Sequence, residues 1–263
     1  MKAFSRIAAS VANLAASLLM LQAAHAADAK PLRIGIDPTF KPFTYKLPDG
    51  TPTGFDIEIA QALCTEIKRS CSFVESDWDG IIVALNARKF DAIISSMDIT
   101  EERKRAVDFT NKYYKVPSRL IFPAGQAVSG TNESLKGKRI GVLRGSTEER
   151  YAKAEYAPAG AVVVDYATQN DAFLDLKAGR IDGTLVNVVV GQSDFLKTAA
   201  GQGFRFVGPE RGDEKYWGVG AGIAVRKGDA LRAELDRALV AIRADGRYKR
   251  IQDKYFDFDV YGR

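Results

Sequence analysis

Histidine is nearly absent from this chain, sulfur is scarce, and long apolar runs are missing. The 263 residues include one His, two Cys, three Met and two Trp. No run of about 18 apolar residues occurs, which excludes an ordinary membrane-spanning helix. No glycine-rich phosphate loop, zinc-ligand spacing or nucleophile elbow is present. Neither sign of charge dominates: Lys plus Arg is 38, Asp plus Glu is 33, and the net charge is +5. With no long basic cluster, no nucleic-acid partner is expected.

The lone His25 falls within residues 1–26, which read as a signal peptide. Lys2 and Arg6 make a positive start, an apolar stretch runs from about Ile7 to Leu21, and Ala24-His25-Ala26 forms an A-x-A cleavage site. An N-terminal amphipathic helix is the alternative, but the stretch has no acidic residues and is too short to span. Cleavage near Ala26 would leave a periplasmic protein of 237 residues with no histidine and a net charge of +3. Ser-His-Asp and Cys-His catalysis and histidine-rich metal sites are then excluded. No metal or other cofactor is expected. In an oxidising compartment Cys64 and Cys71 should close a small loop worth roughly 2–3 kcal/mol; two buried free thiols are the alternative.

What is present is ample apolar content, 46%, with 27% charged residues. That suits one large or two modest folded domains. Apolar spacing predicts strands at Leu32–Ile36, Ser72–Val74, Phe90–Ser95, Arg119–Phe122, Arg139–Leu143, Val162–Asp165 and Ile181–Val186. Helices are expected over 55–67, Trp78–Ala87, from the N-cap Thr100 to about Val107, and over Ser146–Glu155, Asp171–Ala178 and Val188–Thr198. Leu231, Leu235, Ala238, Leu239 and Ile242 mark a last long helix. This alternation predicts parallel sheets covered by helices. Two internal echoes point to two similar lobes. Arg33-Ile34-Gly35-Ile36 resembles Arg139-Ile140-Gly141-Val142. The run from Leu85 through Phe90-Asp91-Ala92 resembles that from Leu176 through Ile181-Asp182-Gly183, which places Asn187 opposite Ser96.

In open α/β sheets ligands collect beyond the carboxyl ends of strands. Asp37–Phe40, Ser95–Asp98, Leu143–Thr147 and Val186–Val188 follow strands here. Ser95, Ser96, Asp98 and Thr100 lead into a helix whose first turn carries Arg103. That combination suits a carboxylate gripped by a guanidinium; the alternative is capping with a surface pair to Glu101 or Glu102. Gly145-Ser146-Thr147 repeats the idea or is an ordinary N-cap. Phe40 and Trp78 either join the core or sandwich an aliphatic stem or a guanidinium, with Asp37 near a cationic tip.

These residues resemble a known family. Asp37-Pro38-Thr39-Phe40-x-Pro42-Phe43, Gly54-Phe55-Asp56-Ile57-x-Ile59-Ala60 and Asp91-Ala92-Ile93-Ile94-Ser95-Ser96-Met97-x-Ile99-Thr100-Glu101-x-Arg103 are similar to the polar amino-acid-binding proteins of bacterial ABC importers, of the histidine and lysine/arginine/ornithine type. Gly141-Val142-Leu143-x-Gly145-Ser146-Thr147, Ala178-Gly179-Arg180-Ile181-Asp182 and the ending Tyr255-Phe256-Asp257-Phe258-Asp259-Val260-Tyr261-Gly262 extend the match. The resemblance implies a type II periplasmic-binding-protein fold: two lobes, each a mainly parallel sheet covered by helices, joined by two hinge strands. Lobe one would be residues 27–114 plus 213–263, and lobe two 115–212. A monomer would close on one basic amino acid and deliver it to an inner-membrane permease, without catalysis. By position, Arg103 would hold the ligand carboxylate with Ser96 and the Thr147 backbone. Asp37 would meet the side-chain tip, Phe40 and Trp78 would flank the stem, and Ser95 and Leu143 would line the pocket. Cys64 and Cys71 would form the family disulfide.

Two positions depart from the family pattern. Asn187 stands where an Asp usually takes the α-ammonium, and Asp98 where Ser is frequent, so Asp98 is expected to take over the ammonium. The alternatives are an opine ligand with a substituted α-nitrogen, or a cyclohexadienyl dehydratase using a cleft carboxyl. A sensor ectodomain is disfavoured, since no membrane span follows the family-like ending.

Overall fold

The computed structural model describes residues 30–262; the segment read as a signal peptide lies outside them. Two five-stranded sheets organise the chain. The first runs Cys71–Glu75, Leu32–Ile36, Ala92–Ile93, Ala221–Arg226, Val107–Tyr114 in spatial order. The second runs Val162–Tyr166, Arg139–Leu143, Gly183–Asn187, Ser118–Pro123, Phe204–Arg211. A small antiparallel sheet of Thr39–Phe40, Thr44–Lys46 and Pro52–Thr53 follows the first strand.

The strand Leu32–Ile36 carries its large apolar side chains at alternate positions, on one face of its sheet. Leu32, Ile34 and Ile36 are fully buried. Helix Phe55–Glu66 buries Phe55, Ile59, Ala60 and Leu63. Helix Leu231–Ala244 buries the five residues whose spacing marks it in the sequence: Leu231, Leu235, Ala238, Leu239 and Ile242. Cys64, on the first of these helices, is bonded to Cys71 at the edge strand, with the Cα atoms 5.8 Å apart.

Parallel pairing makes up only half of each sheet. Both parallel pairings of the first sheet use Leu32–Ile36, and both of the second use Arg139–Leu143. The other two pairings in each sheet are antiparallel. The reason is the route of the chain. It leaves the first sheet through Val107–Tyr114 and enters the second at Ser118–Pro123. It returns from Phe204–Arg211 to Ala221–Arg226. The helix expected to reach Val107 therefore stops at Lys104, and Val107 opens an eight-residue strand instead. Its β-branched and aromatic residues, Val107, Phe109, Thr110, Tyr113 and Tyr114, are buried against the returning strand.

Candidate functional site

The carboxyl ends of strands from both sheets converge on one cleft. Asp37, Phe40, Trp78, Ser95, Ser96, Asp98, Arg103, Leu143, Thr147 and Asn187 all line it. Tyr114, Val116, Ser118, Ser146, Glu148, Gln169, Val186 and Trp217 complete the lining; of these only Ser146 and Val186 fall in the strand-end segments marked by the sequence, and none was assigned a ligand contact. Tyr114, Val116, Ser118 and Trp217 sit on or beside the two crossings between sheets, which no local motif marks. Glu148 follows Thr147 in the helix start and had a signal there, as one more charge beside a candidate contact.

Arg103 is placed by its helix start. Thr100 Oγ1 accepts the Arg103 backbone N–H at 3.2 Å. Neither adjacent glutamate takes the guanidinium: Glu101 pairs with Lys104 and Glu102 with Arg150. The Arg103 guanidinium turns into the cleft instead. It donates to the Asp98 carbonyl at 3.0 Å and to the Gly145 carbonyl at 3.0 Å. Its centre lies 5.3 Å from the Trp78 ring. Trp78 thus presents its face to Arg103. Burial pulls the Arg103 pKa down, while Asp98 and Glu148 pull it back up.

Asp37 is held by Ser95, whose hydroxyl accepts the Asp37 N–H at 3.0 Å. One carboxylate oxygen, Oδ1, accepts from the Thr39 N–H and hydroxyl, which leaves Oδ2 for another donor. Burial pushes the Asp37 carboxyl up against the pull of Thr39, and the charges of Asp77 and Asp79 push it the same way. A cation placed there would relieve this crowding of negative charge.

Ser96 adopts a left-handed conformation, φ 56°. Its N–H donates to the Tyr113 hydroxyl at 3.0 Å, and its own hydroxyl donates to Asp56 at 2.9 Å. Toward a ligand it therefore offers an acceptor oxygen, since both of its donors are taken. Asp56 is fully buried and also accepts from Tyr113 and Thr44. Burial pushes it up to about 6, against those hydrogen bonds.

Asn187 caps the helix that follows its strand: Oδ1 accepts the N–H groups of Val189 and Val190 at 3.0 and 3.3 Å. Its amide hydrogens are what it can turn to the cleft. Asp98 faces it from the other sheet's side. Thr147 reaches across to Asp98 at 2.8 Å. Burial pushes the Asp98 carboxyl up to about 7, with Arg103 opposing, Glu148 reinforcing, and Thr147 opposing. Arg103 to Gly145, Thr147 to Asp98, Arg144 to Asp79 and Arg150 to Glu102 all cross the cleft.

One guanidinium and three carboxylates in a single cleft suit a small molecule bearing one carboxylate and two cationic groups. Comparison with known proteins agrees with this chemistry. The family model for bacterial extracellular solute-binding proteins, family 3, matches residues 32–258. An L-arginine-binding protein of Pseudomonas aeruginosa is 54% identical, over 95% of this chain and 96% of its own length. A histidine-binding periplasmic protein of Escherichia coli is 46% identical, over 91% and 93%. The solved structure of an ancestral arginine-binding protein bound to arginine superposes with a TM-score of 0.80, at 36% identity, covering 87% of this chain and 99% of that one. The chain belongs to family 3 of the bacterial extracellular solute-binding proteins and has their two-lobe α/β fold.

Proposed function

We propose that this family 3 protein captures a basic amino acid (arginine, ornithine, lysine or histidine) in the periplasm and delivers it to an ABC permease. The observation that carries this is the charge pattern of the cleft: Arg103 for the α-carboxylate, Asp98 for the α-ammonium and Asp37 for the side-chain cation. Each polar end of such a ligand meets an opposite charge, which offsets the cost of removing it from water. Phe40 and Trp78 flank the stem; Ser95 and Leu143 line it; the Thr147 backbone assists Arg103, whereas Ser96, expected to do the same, has both donors committed and offers an acceptor oxygen that suits the α-ammonium instead. Asn187 contributes hydrogen bonding without charge.

Residues 27–114 plus 213–263 form one lobe and 115–212 the other, an assignment supported by the sheet each strand joins. The lobes close on the ligand as a monomer, and residues 1–26 are removed on export. Among the described residues no helix is long and apolar enough to cross a membrane. We assign the cleft to binding without chemistry. A thermal-shift panel of arginine, ornithine, lysine and histidine tests this, with glutamate, octopine and prephenate as controls. Ligand at about a hundred times its Kd should stabilise the protein by about 2.7 kcal/mol. Silence from all four basic amino acids, a response to glutamate alone, or turnover of prephenate would overturn the assignment.

A further inference from the structure

Thr147 Oγ1 lies 2.8 Å from Asp98 Oδ2 and 3.2 Å from Glu148 Oε2. A hydroxyl has one proton to donate. If both carboxyls were ionised, one of these contacts would be two acceptor oxygens facing each other. The other oxygen of Glu148, Oε1, is 2.6 Å from the Ser118 hydroxyl, which itself accepts from Trp217 Nε1 at 3.1 Å. Ser118 therefore donates its proton to Glu148. One proton on either carboxyl satisfies the chain; Glu148 already accepts from Ser118 and is the better-supported anion, so the proton belongs on Asp98, which donates to Thr147 while Thr147 donates to Glu148.

We propose that Glu148 is a specificity-determining residue, which with Thr147 holds one proton on Asp98 across the cleft, and that a basic amino acid binds by displacing this proton with its α-ammonium. The Asp98 O–H bond breaks, the proton leaves to buffer, and the ammonium takes its place between two ionised carboxylates. A ligand whose α-nitrogen carries no charge cannot make this exchange and meets the Glu148 carboxylate uncompensated. The proposal rests on the basic amino-acid assignment above.

The charged and titratable groups facing Asp98 are Arg103 on the following helix, Glu148 and Arg150 on the helix from Thr147, and the Tyr114 phenol. Burial of Asp98 and the Glu148 charge favour its neutral form; Arg103 and Arg150 oppose. With Asp98 near 7 before binding and well below it beside an ammonium, affinity must fall as pH drops through about 7.

Calorimetric titration with L-arginine, in pairs of buffers of different ionisation enthalpy, counts the proton. Release should approach one proton near about pH 6, about one half near pH 7 and almost none by pH 8, and affinity should weaken about tenfold from pH 8 to pH 6. In Glu148→Gln the amide donates to Thr147, Thr147 donates to an ionised Asp98, and no held proton is needed. Release should then fall below about 0.1 proton at pH 7 and the pH dependence should flatten to under about twofold. Preference for arginine over Nα-acetyl-L-arginine should drop about tenfold. Asp98→Asn should also abolish release. Arginine binding to the unmodified protein without proton release, or with release unchanged in Glu148→Gln, overturns the proposal and leaves the amino-acid assignment standing. Failure of arginine, lysine, ornithine and histidine to bind at any of these pH values overturns the assignment itself.

Discussion

Arg103 draws together groups from both sides of the cleft. Its guanidinium donates to backbone carbonyls at Asp98 and Gly145 and lies over Trp78. A ligand carboxylate on the same guanidinium would complete a group already fixed in place, at small cost in side-chain entropy. Arg103→Ala should therefore weaken arginine binding by more than tenfold, roughly 2–5 kcal/mol, because it leaves a desolvated carboxylate without a partner. Calorimetry on a variant with an unchanged far-ultraviolet spectrum checks this; a smaller loss would remove Arg103 as the anchor. At this scale the sequence was informative where a residue follows a strand or starts a helix. Arg103, Thr147 and Asn187 are legible that way, since Thr100, Ser146 and Asn187 all cap as their residue types favour. The committed donors of Ser96 were not legible. They depend on Asp56 and Tyr113, which are 40 and 17 residues away in the chain.

At the level of elements, the two sequence echoes correspond to one repeated junction. Arg33 donates from its N–H and Nε to Asp91 Oδ2, and Arg139 does the same to Asp182 Oδ2. In each sheet this ties the spatially second strand to the start of the third. The echoed glycines make room for the echoed apolar residues beside those aspartates. A Cβ on Gly35 would lie 2.4 Å from the Phe90 ring, and one on Gly141 would lie 2.5 Å from Ile181 Cδ1. A rigid ring cannot yield as the end of an isoleucine can. Gly35→Ala should thus cost about 1–3 kcal/mol, and Gly141→Ala clearly less. Urea unfolding of both variants checks the order, and equal losses would refute this account of the junction. The strands Val107–Tyr114, Phe204–Arg211 and Ala221–Arg226 escaped the sequence because their partners are distant and their patterns short or mixed. Helical propensity after Thr100 also ran past the true end at Lys104, where sheet pairing takes over.

For the whole molecule, the double crossing between sheets matters most. It brings residues near 114–118 and 217 to the back of a cleft whose walls are strand ends from opposite sheets. Sequence spacing predicted the walls and the two similar halves. The back, with Ser118 and Trp217 supporting Glu148, emerges only when the chain has crossed twice. A ligand held by Arg103, Asp98 and Asp37 beyond the strand ends of the first sheet is also faced by Leu143, Thr147 and Asn187 beyond those of the second, so capture and closure would be one event. The most direct test is a crystal structure of the mature protein with L-arginine. One arginine should occupy this cleft, its carboxylate on Arg103, its α-ammonium on Asp98 and its guanidinium on Asp37 between Phe40 and Trp78. An arginine bound in the reverse orientation, or outside the cleft, would contradict that placement.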